Sequence, residues 1–254
     1  MVTLAEDLAL ALDPATLMAK CGVPPDPWQV ALLQADTSRI LMLCCRQSGK
    51  STVAAITALH TALYEPPALI LLLSPSERQS KELFKKVTTF YSHLDKPVAP
   101  EVENRLELEL ENGSRIVALP GKEGTVRSFS GVRVLIIDEA ARVTDDLYKS
   151  VRPMLAVSQG RLVTLSTPFG KRGFFFREWT EGRNWHRVKI TAHDCPRISP
   201  TFLEEERTSL GDWWFQQEYL CEFVETVDQV FSYDLVMGAV SAEVRPLFGG
   251  GVQQ

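Results

Sequence analysis

Short apolar segments, separated by stretches long enough for a helix, constrain the fold of this chain more than any other feature of its sequence. Each has the length of a strand that is buried on both faces. The segments are Ile40–Cys44, Leu69–Leu73, Val134–Ile137 and Arg161–Leu165, and the less apolar Arg187–Thr191 is predicted to be a fifth strand. Helical sequences follow the first two of them, at Ser51–Tyr64 and Glu77–Tyr91. The alternation predicts an α/β fold with a mostly parallel central sheet flanked by helices, and ligands bind such sheets at the carboxyl ends of the strands.

One part of the sheet is predicted to be antiparallel. Leu106, Leu108 and Leu110 alternate with acidic residues, the turn pair Asn112-Gly113 follows, and Arg115–Leu119 comes next. This alternation and this turn chemistry are typical of a β-hairpin.

Composition and charge exclude several classes of protein. Of the 254 residues, 45% are hydrophobic and 23% are charged, as in a globular protein. The apolar segments are far shorter than the roughly 20 residues of a membrane helix, so no membrane association is expected. The formal net charge is −5, so any nucleic acid must be bound by a local basic patch. The 5 cysteines include no CxxC pair, and the N-terminus carries acids where a signal peptide needs bases. A reduced, cytoplasmic protein is therefore predicted.

The first candidate site is the sequence Cys45-Arg46-Gln47-Ser48-Gly49-Lys50-Ser51, named here the phosphate loop, which follows the first predicted strand and opens a predicted helix. In this context backbone N–H groups at the helix N-terminus point at phosphates. Lys50 would add a positive charge there, and Ser51 would offer its hydroxyl to Mg²⁺. The loop departs from the pattern GxxxxGK[ST] at its first position, which is Cys44.

Polar residues also end two later strands. Asp138 and Glu139 follow the apolar run Val134–Ile137, and Ser166-Thr167-Pro168 follows Arg161–Leu165. We expect Asp138 to hold the Mg²⁺ ion and Glu139 to polarise the attacking water. Together with the phosphate loop, these residues predict hydrolysis of a nucleoside triphosphate.

The resemblance to a known family rests on these three motifs, in this order along the chain, and on four further stretches. These are Pro27-Trp28-Gln29, Thr125-Val126-Arg127-Ser128-Phe129-Ser130, Gln217-Glu218-Tyr219-Leu220-Cys221-Glu222-Phe223 and Val230-Phe231-Ser232. The whole set resembles the ATPase motor of the large terminase subunit of tailed bacteriophages, although Ser128 stands where that family usually has glycine. The resemblance implies a P-loop NTPase fold of the ASCE type, with ATP and Mg²⁺ as ligands.

The resemblance also implies roles for individual residues. Gln29 would read adenine through its amide and Trp28 would pack beneath it, unless both are ordinary packing residues. Arg46 would sense the γ-phosphate, with a surface ion pair as the alternative. Arg127 would be an arginine finger delivered to a neighbouring subunit, with a structural or DNA-facing arginine as the alternative. Thr167 would couple hydrolysis to movement. The nucleotide-binding set is thus Trp28, Gln29, Arg46, Gln47, Ser48, Gly49, Lys50 and Ser51.

The domains expected from the resemblance are an N-terminal helical extension (1–26), the ATPase core (27–195), a small C-terminal lid or linker subdomain (196–235) and a flexible tail (236–254). In the family the chain continues into a nuclease domain of the ribonuclease H type. Here the sequence stops shortly after Val230-Phe231. We therefore expect this chain to have no nuclease activity. It would be either a motor domain excised from a longer chain or the product of a split gene.

The predicted function is an ATP-hydrolysing motor that moves viral double-stranded DNA into a procapsid. The expected partners are double-stranded DNA, the portal protein and the small terminase subunit. The chain would be a monomer in isolation and would form a homo-oligomeric ring when assembled, in the bacterial host cytoplasm. The alternatives are a helicase-like or remodelling ATPase and a non-catalytic packaging adaptor.

Overall fold

An eight-stranded sheet lies at the centre of the computed structural model, which describes residues 3–121, 129–225 and 233–239. The strands are β1 Arg39–Cys44, β2 Leu69–Ser74, β3 Pro100–Glu103, β4 Glu107–Leu110, β5 Arg115–Pro120, β6 Val134–Asp138, β7 Arg161–Ser166 and β8 His186–Ile190. Their order across the sheet is β3-β4-β5-β2-β6-β7-β1-β8.

The strands from β5 to β8 in this order are all parallel, and the antiparallel pairs of the described sheet, β3 with β4 and β4 with β5, lie at one edge. The predicted α/β fold with a mostly parallel sheet is thus confirmed, as is the predicted hairpin of β4 and β5. Strand β7 lies between β6 and β1, so the carboxyl ends of these three strands are neighbours. The segments that carry the three candidate motifs therefore leave the sheet side by side.

The helices are α1 Leu4–Leu12, α2 Pro14–Lys20, α3 Pro27–Leu33, α4 Lys50–Tyr64, α5 Glu77–His93, α6 Asp145–Val151, α7 Gly173–Thr180, α8 Pro200–Leu210, α9 Asp212–Glu218 and α10 Tyr233–Ala239. Helix α4 contacts the sheet, α2 and α5, and it is buried from Val53 to Leu63. Its alanines at 54, 55, 58 and 62 allow this close packing. In the described ranges no helix is both long enough and apolar enough to cross a bilayer.

Strand β3 is an addition that the sequence did not predict. It is largely exposed and has an irregular register against β4. An edge strand of this kind carries no buried face and therefore no apolar alternation for sequence analysis to detect.

Candidate nucleotide-binding site

The phosphate loop connects β1 to the N-terminus of α4 through two residues in the left-handed region, Gln47 (φ 61°) and Gly49 (φ 93°). Gly49 precedes the first residue of α4, and it has no side chain with which to cap the helix. The Ser48 hydroxyl donates to the carbonyl of Cys45 at 2.9 Å and closes the loop on itself. The first N–H groups of a 15-residue helix thus remain available for an anion, which the helix dipole also favours.

Lys50 and Glu139 face each other across this site. Lys50 Nζ lies 3.6 Å from Glu139 Oε1, and the two side chains are 9% and 23% exposed. Glu139 follows β6 in the left-handed region, with φ 49° and ψ 41°. A residue other than glycine occupies that backbone region at a cost of about 1–3 kcal/mol. The turn therefore uses a strained residue to hold the Glu139 carboxylate close to the lysine.

Asp138 is a buried acid, at 7% exposure. Its Oδ1 accepts a hydrogen bond of 2.9 Å from the backbone N–H of Glu139. Burial, together with the neighbouring charge of Glu139, raises the pKa of the Asp138 carboxyl to about 6, against an ordinary value of 3.8. Two adjacent acids in a buried site repel each other, and a cation would relieve this repulsion.

The donors at this position suit Mg²⁺. Asp138 supplies a carboxylate and Ser51 a hydroxyl at the start of α4, and both are hard oxygen ligands. Among the described residues, no group of three or more His, Cys, Asp or Glu residues could hold a metal ion. A nucleotide-bound Mg²⁺ does not need one, because it takes one or two protein ligands and completes its shell with phosphates and water.

Helix α3 brings Gln29 to the phosphate loop. A Cβ atom at Gly49 would lie 2.6 Å from Gln29 Nε2, so the amide is packed against the glycine backbone. Gln29 Oε1 accepts from the backbone N–H of Asp26 at 2.8 Å. A base that took both ends of this amide would use the second lone pair of Oε1, because the first accepts from Asp26. Trp28 is partly buried against the hydrophobic core.

Arg46 extends from the phosphate loop to α9. Its Nε donates to Glu218 Oε2 at 2.6 Å, and the side chains are 64% and 7% exposed. The backbone N–H of Arg46 also donates to the Glu218 carbonyl, at 3.3 Å. The alternative considered for Arg46, an ion pair, is therefore present in the structure, and the side chain also lines the cleft beside the loop.

A cleft of about 880 Å³ lies along the phosphate loop, a size typical of small-molecule sites. The predicted residues that line it are Gln29, Arg46, Gln47, Gly49, Lys50, Ser51 and Glu139. The predicted residues that do not line the cleft are Asp138, Ser48, Trp28 and Thr167. Thr167 is buried just after β7. Arg127 and Val230-Phe231-Ser232 lie outside the described residues.

Further basic side chains reach the cleft from elements that carry no recognised motif. Lys86 on α5 donates to Thr52 Oγ1 at 3.3 Å, and burial lowers its pKa. Arg142 follows Glu139 and lies over the Phe169 ring at 4.2 Å, which connects the cleft to the segment after Thr167. Arg197 follows β8 and contacts the phosphate loop. In the sequence of α5, Lys81, Lys85 and Lys86 form a basic face, but this pattern does not distinguish Lys86 from its exposed neighbour Lys85.

Comparison with protein families and curated proteins identifies relatives of the chain. The family described as "Terminase large subunit, T4likevirus-type, N-terminal" matches residues 41–236. The large terminase subunit of Escherichia phage T5 is 26% identical over 228 residues, which are 85% of this chain and 51% of that protein. The large terminase subunit of Thermus phage G20c is 25% identical over 248 residues, with 83% and 51% covered. The chain spans about half the length of the curated relatives it matches.

Solved structures show the same fold. The large terminase ATPase domain of Thermus phage P74-26 has a TM-score of 0.71 at 22% identity, with 82% of this chain and 97% of that chain covered. The large terminase of bacteriophage D6E has a TM-score of 0.61 at 11% identity, with 83% and 53% covered. The latter protein is also known in complexes with ADP and with ATP-gamma-S. These likenesses confirm the predicted P-loop NTPase fold.

The family match spans most of the sequence, including the phosphate loop and the two acids that follow β6. The chain therefore belongs to the large terminase subunits of the T4-like-virus type, and its matched residues correspond to the N-terminal part of that family.

Proposed function

We propose that this chain binds ATP with Mg²⁺ in the cleft, hydrolyses it, and uses the energy to move double-stranded DNA into a procapsid. The observation that carries the hydrolytic part is the contact of Lys50 with Glu139 at 3.6 Å, beside Asp138, at the N-terminus of α4. Lys50 and Glu139, which we propose as the phosphate-binding cation and the general base, both line the cleft. Asp138, which we propose as the metal-binding acid, immediately precedes Glu139 at the end of β6. The complexes of the D6E terminase with ADP and ATP-gamma-S support ATP as the nucleotide.

The residues of the cleft would divide the reaction between them. The helix N-terminus and Lys50 would hold the phosphates, and Asp138 and Ser51 would hold Mg²⁺, which supplies charge neutralisation when bound. As Lys50 turns to the phosphates, Glu139 would lose its partner and become free to orient and polarise the attacking water. Positioning and electrostatic stabilisation would supply most of the rate enhancement.

The motor function rests on family membership. Double-stranded DNA, a portal protein and a small terminase subunit are the partners we propose, with a homo-oligomeric ring as the working assembly. The similarity to terminases favours this function over a helicase-like or remodelling ATPase. The domain boundaries expected from the sequence, and the roles of Thr167 and Arg127, stay predictions.

Variants of the two facing residues test the proposal. Lys50→Ala should abolish ATP binding, because it removes the charge that faces the phosphates. Glu139→Gln should bind ATP but lose at least about 100-fold in turnover, as expected when a general base is removed. Binding is measured by titration of a fluorescent ATP analogue and turnover by phosphate release. Lys81→Ala, which removes a surface lysine paired with Glu77, is the control. ATP binding by Lys50→Ala at wild-type strength would contradict the role of Lys50.

A further inference from the structure

The side chain of Arg197 bridges two parts of the nucleotide cleft. Its Nη1 donates to Asp26 Oδ1 at 2.7 Å, and its Nη2 donates to the carbonyl oxygen of Ser48 at 3.0 Å. Asp26 immediately precedes α3, the helix that carries Gln29, whereas Ser48 belongs to the phosphate loop. Arg197 itself comes from the segment after β8 and lines the same cleft. One planar guanidinium thus joins three stretches of chain that are far apart in sequence.

The hydrogen bond to the Ser48 carbonyl affects phosphate binding through the peptide group between Ser48 and Gly49. The carbonyl of Ser48 and the N–H of Gly49 belong to the same planar trans peptide, so they point in opposite directions. A donor fixed on the carbonyl therefore fixes the direction of the Gly49 N–H. It also polarises that N–H, because hydrogen bonds along one peptide group strengthen each other. Gly49 has φ 93°, and glycine has no steric barrier to leaving that conformation.

The bond to Asp26 holds the guanidinium in place. The Asp26 side chain is only 12% exposed, and its Oδ2 is buried with no hydrogen-bond partner in the part of the chain that the structure describes. Arg197 therefore offsets the charge of a largely buried carboxylate, which fixes the orientation of the arginine. A Cβ at Gly49 would lie 3.5 Å from Arg197 Nη2 and 2.6 Å from Gln29 Nε2, so arginine and glutamine approach the loop at the same glycine.

We propose that Arg197 is a positioning residue for the nucleotide: it holds the Ser48–Gly49 peptide with its N–H directed at the phosphates. This inference rests on the proposed function, because it assumes that the cleft binds ATP. Arg197 acts through the loop backbone, whereas Lys50 and Glu139 act on the reacting groups. Its loss should therefore weaken ground-state binding and leave the chemical step intact. That pattern is a rise in KM at nearly constant kcat.

The test uses the full chain and variants that separate the two bonds. Arg197→Met keeps the length of the side chain and removes both donors. Asp26→Asn keeps an acceptor for Arg197 and removes only the charge. In the double variant Asp26→Asn/Arg197→Met, no buried carboxylate is left unpaired. Arg207→Met is the matched control, because Arg207 makes a similar bond of 2.9 Å to Asp212 at an exposed site.

We expect Arg197→Met and the double variant each to bind ATP about tenfold more weakly, as fits the loss of one charge-assisted hydrogen bond. Asp26→Asn and Arg207→Met should bind within about twofold of the unaltered chain, since both keep the bond to Ser48. Affinity is measured with the fluorescent ATP analogue, and kcat and KM by phosphate release. Thermal unfolding with and without ATP separates a folding defect from a binding defect, because only weaker binding reduces the rise in Tm that ATP causes.

Unchanged ATP affinity in the double variant would overturn the positioning role, as would a loss of affinity in Asp26→Asn as large as in the double variant. A fall in kcat at constant KM would also overturn it, because the residue would then act on the chemical step. If the unaltered chain itself fails to bind ATP, the proposed function falls, and this inference falls with it.

Discussion

At the scale of single residues, each of the two adjacent acids of the site is held at a cost in free energy. Asp138 is buried and Glu139 is in a strained backbone conformation. Arrangements of this kind destabilise the free protein and are kept where a ligand offsets them. In the unfolded chain the Asp138 carboxyl titrates near 3.8, whereas in the folded chain its pKa is about 6. Between these values the folded chain binds more protons, so the free energy of unfolding falls as the pH rises.

The fall in the free energy of unfolding with rising pH yields a prediction for the chain without metal. Asp138→Asn should raise the free energy of unfolding at pH 8 by about 2–3 kcal/mol, because the variant no longer buries a charge. The gain should vanish as the pH falls to about 4, where the Asp138 carboxyl of the folded chain is protonated. The measurement is urea unfolding in the presence of EDTA across this pH range. Asp146→Asn is the control, since Asp146 is an exposed acid in a loose pair with Lys149. A destabilised Asp138→Asn chain at pH 8 would contradict this account.

At the scale of elements, the phosphate loop is held by α9 as well as by the sheet. Glu218 is the last residue of α9, and it pairs with the loop residue Arg46 at 2.6 Å. Its other oxygen, Oε1, accepts from the Gln217 amide at 3.2 Å. If Arg46 is to reach a phosphate, it must leave Glu218, so nucleotide and carboxylate compete for one guanidinium.

The competition predicts that Glu218→Gln binds ATP more tightly than the unaltered chain. Loss of a charge-assisted bond to Arg46 should raise ATP affinity about three- to tenfold and lower Tm in the absence of nucleotide. Titration with the fluorescent analogue measures the first effect, and thermal unfolding measures the second. Glu222→Gln, which breaks an exposed pair with Lys189, should change neither. If Glu218→Gln binds ATP more weakly, the ion pair supports the nucleotide site and does not compete with it.

The elements also show what the sequence alone could predict. Strands β1, β2, β6 and β7 were predicted to within a residue at each end, because buried parallel strands are apolar along their whole length. The site motifs at Lys50 and Glu139 were found for a related reason, since they follow directly on those strands. Arg197 and Lys86 were missed as site residues because they reach the cleft from distant segments, and single arginines and lysines carry no periodic signal. Their place at the cleft follows from the tertiary fold, which propensity does not encode.

At the scale of the whole molecule, the cleft described here is built from one chain, whereas the resemblance implies that a neighbouring subunit contributes Arg127. Arg127 lies outside the described residues, between β5, which ends at Pro120, and β6, which begins at Val134. Since β5 and β6 both run parallel to β2, the carboxyl end of β5 lies at the edge of the sheet where the cleft lies. Only an assembled ring distinguishes an Arg127 that serves its own cleft from one that serves the cleft of a neighbour.

Mixed rings make the distinction. Arg127→Ala subunits keep Glu139 but lack the finger, and Glu139→Gln subunits keep the finger but cannot activate water. If Arg127 acts in the neighbouring subunit, an equal mixture should regain roughly a quarter of the wild-type ATPase rate, because a random ring places the two partners in the productive order at about one interface in four. Glu139→Gln subunits that also carry Arg127→Ala are the control and should restore nothing. Two results would assign Arg127 to its own subunit or to another role. One is an ATPase rate that recovers equally when the control replaces the Glu139→Gln subunits, and the other is no recovery of the rate in either mixture once rings are assembled. The rates are measured by phosphate release at concentrations where the ring is assembled, since a site completed by a neighbour is active only in the assembly.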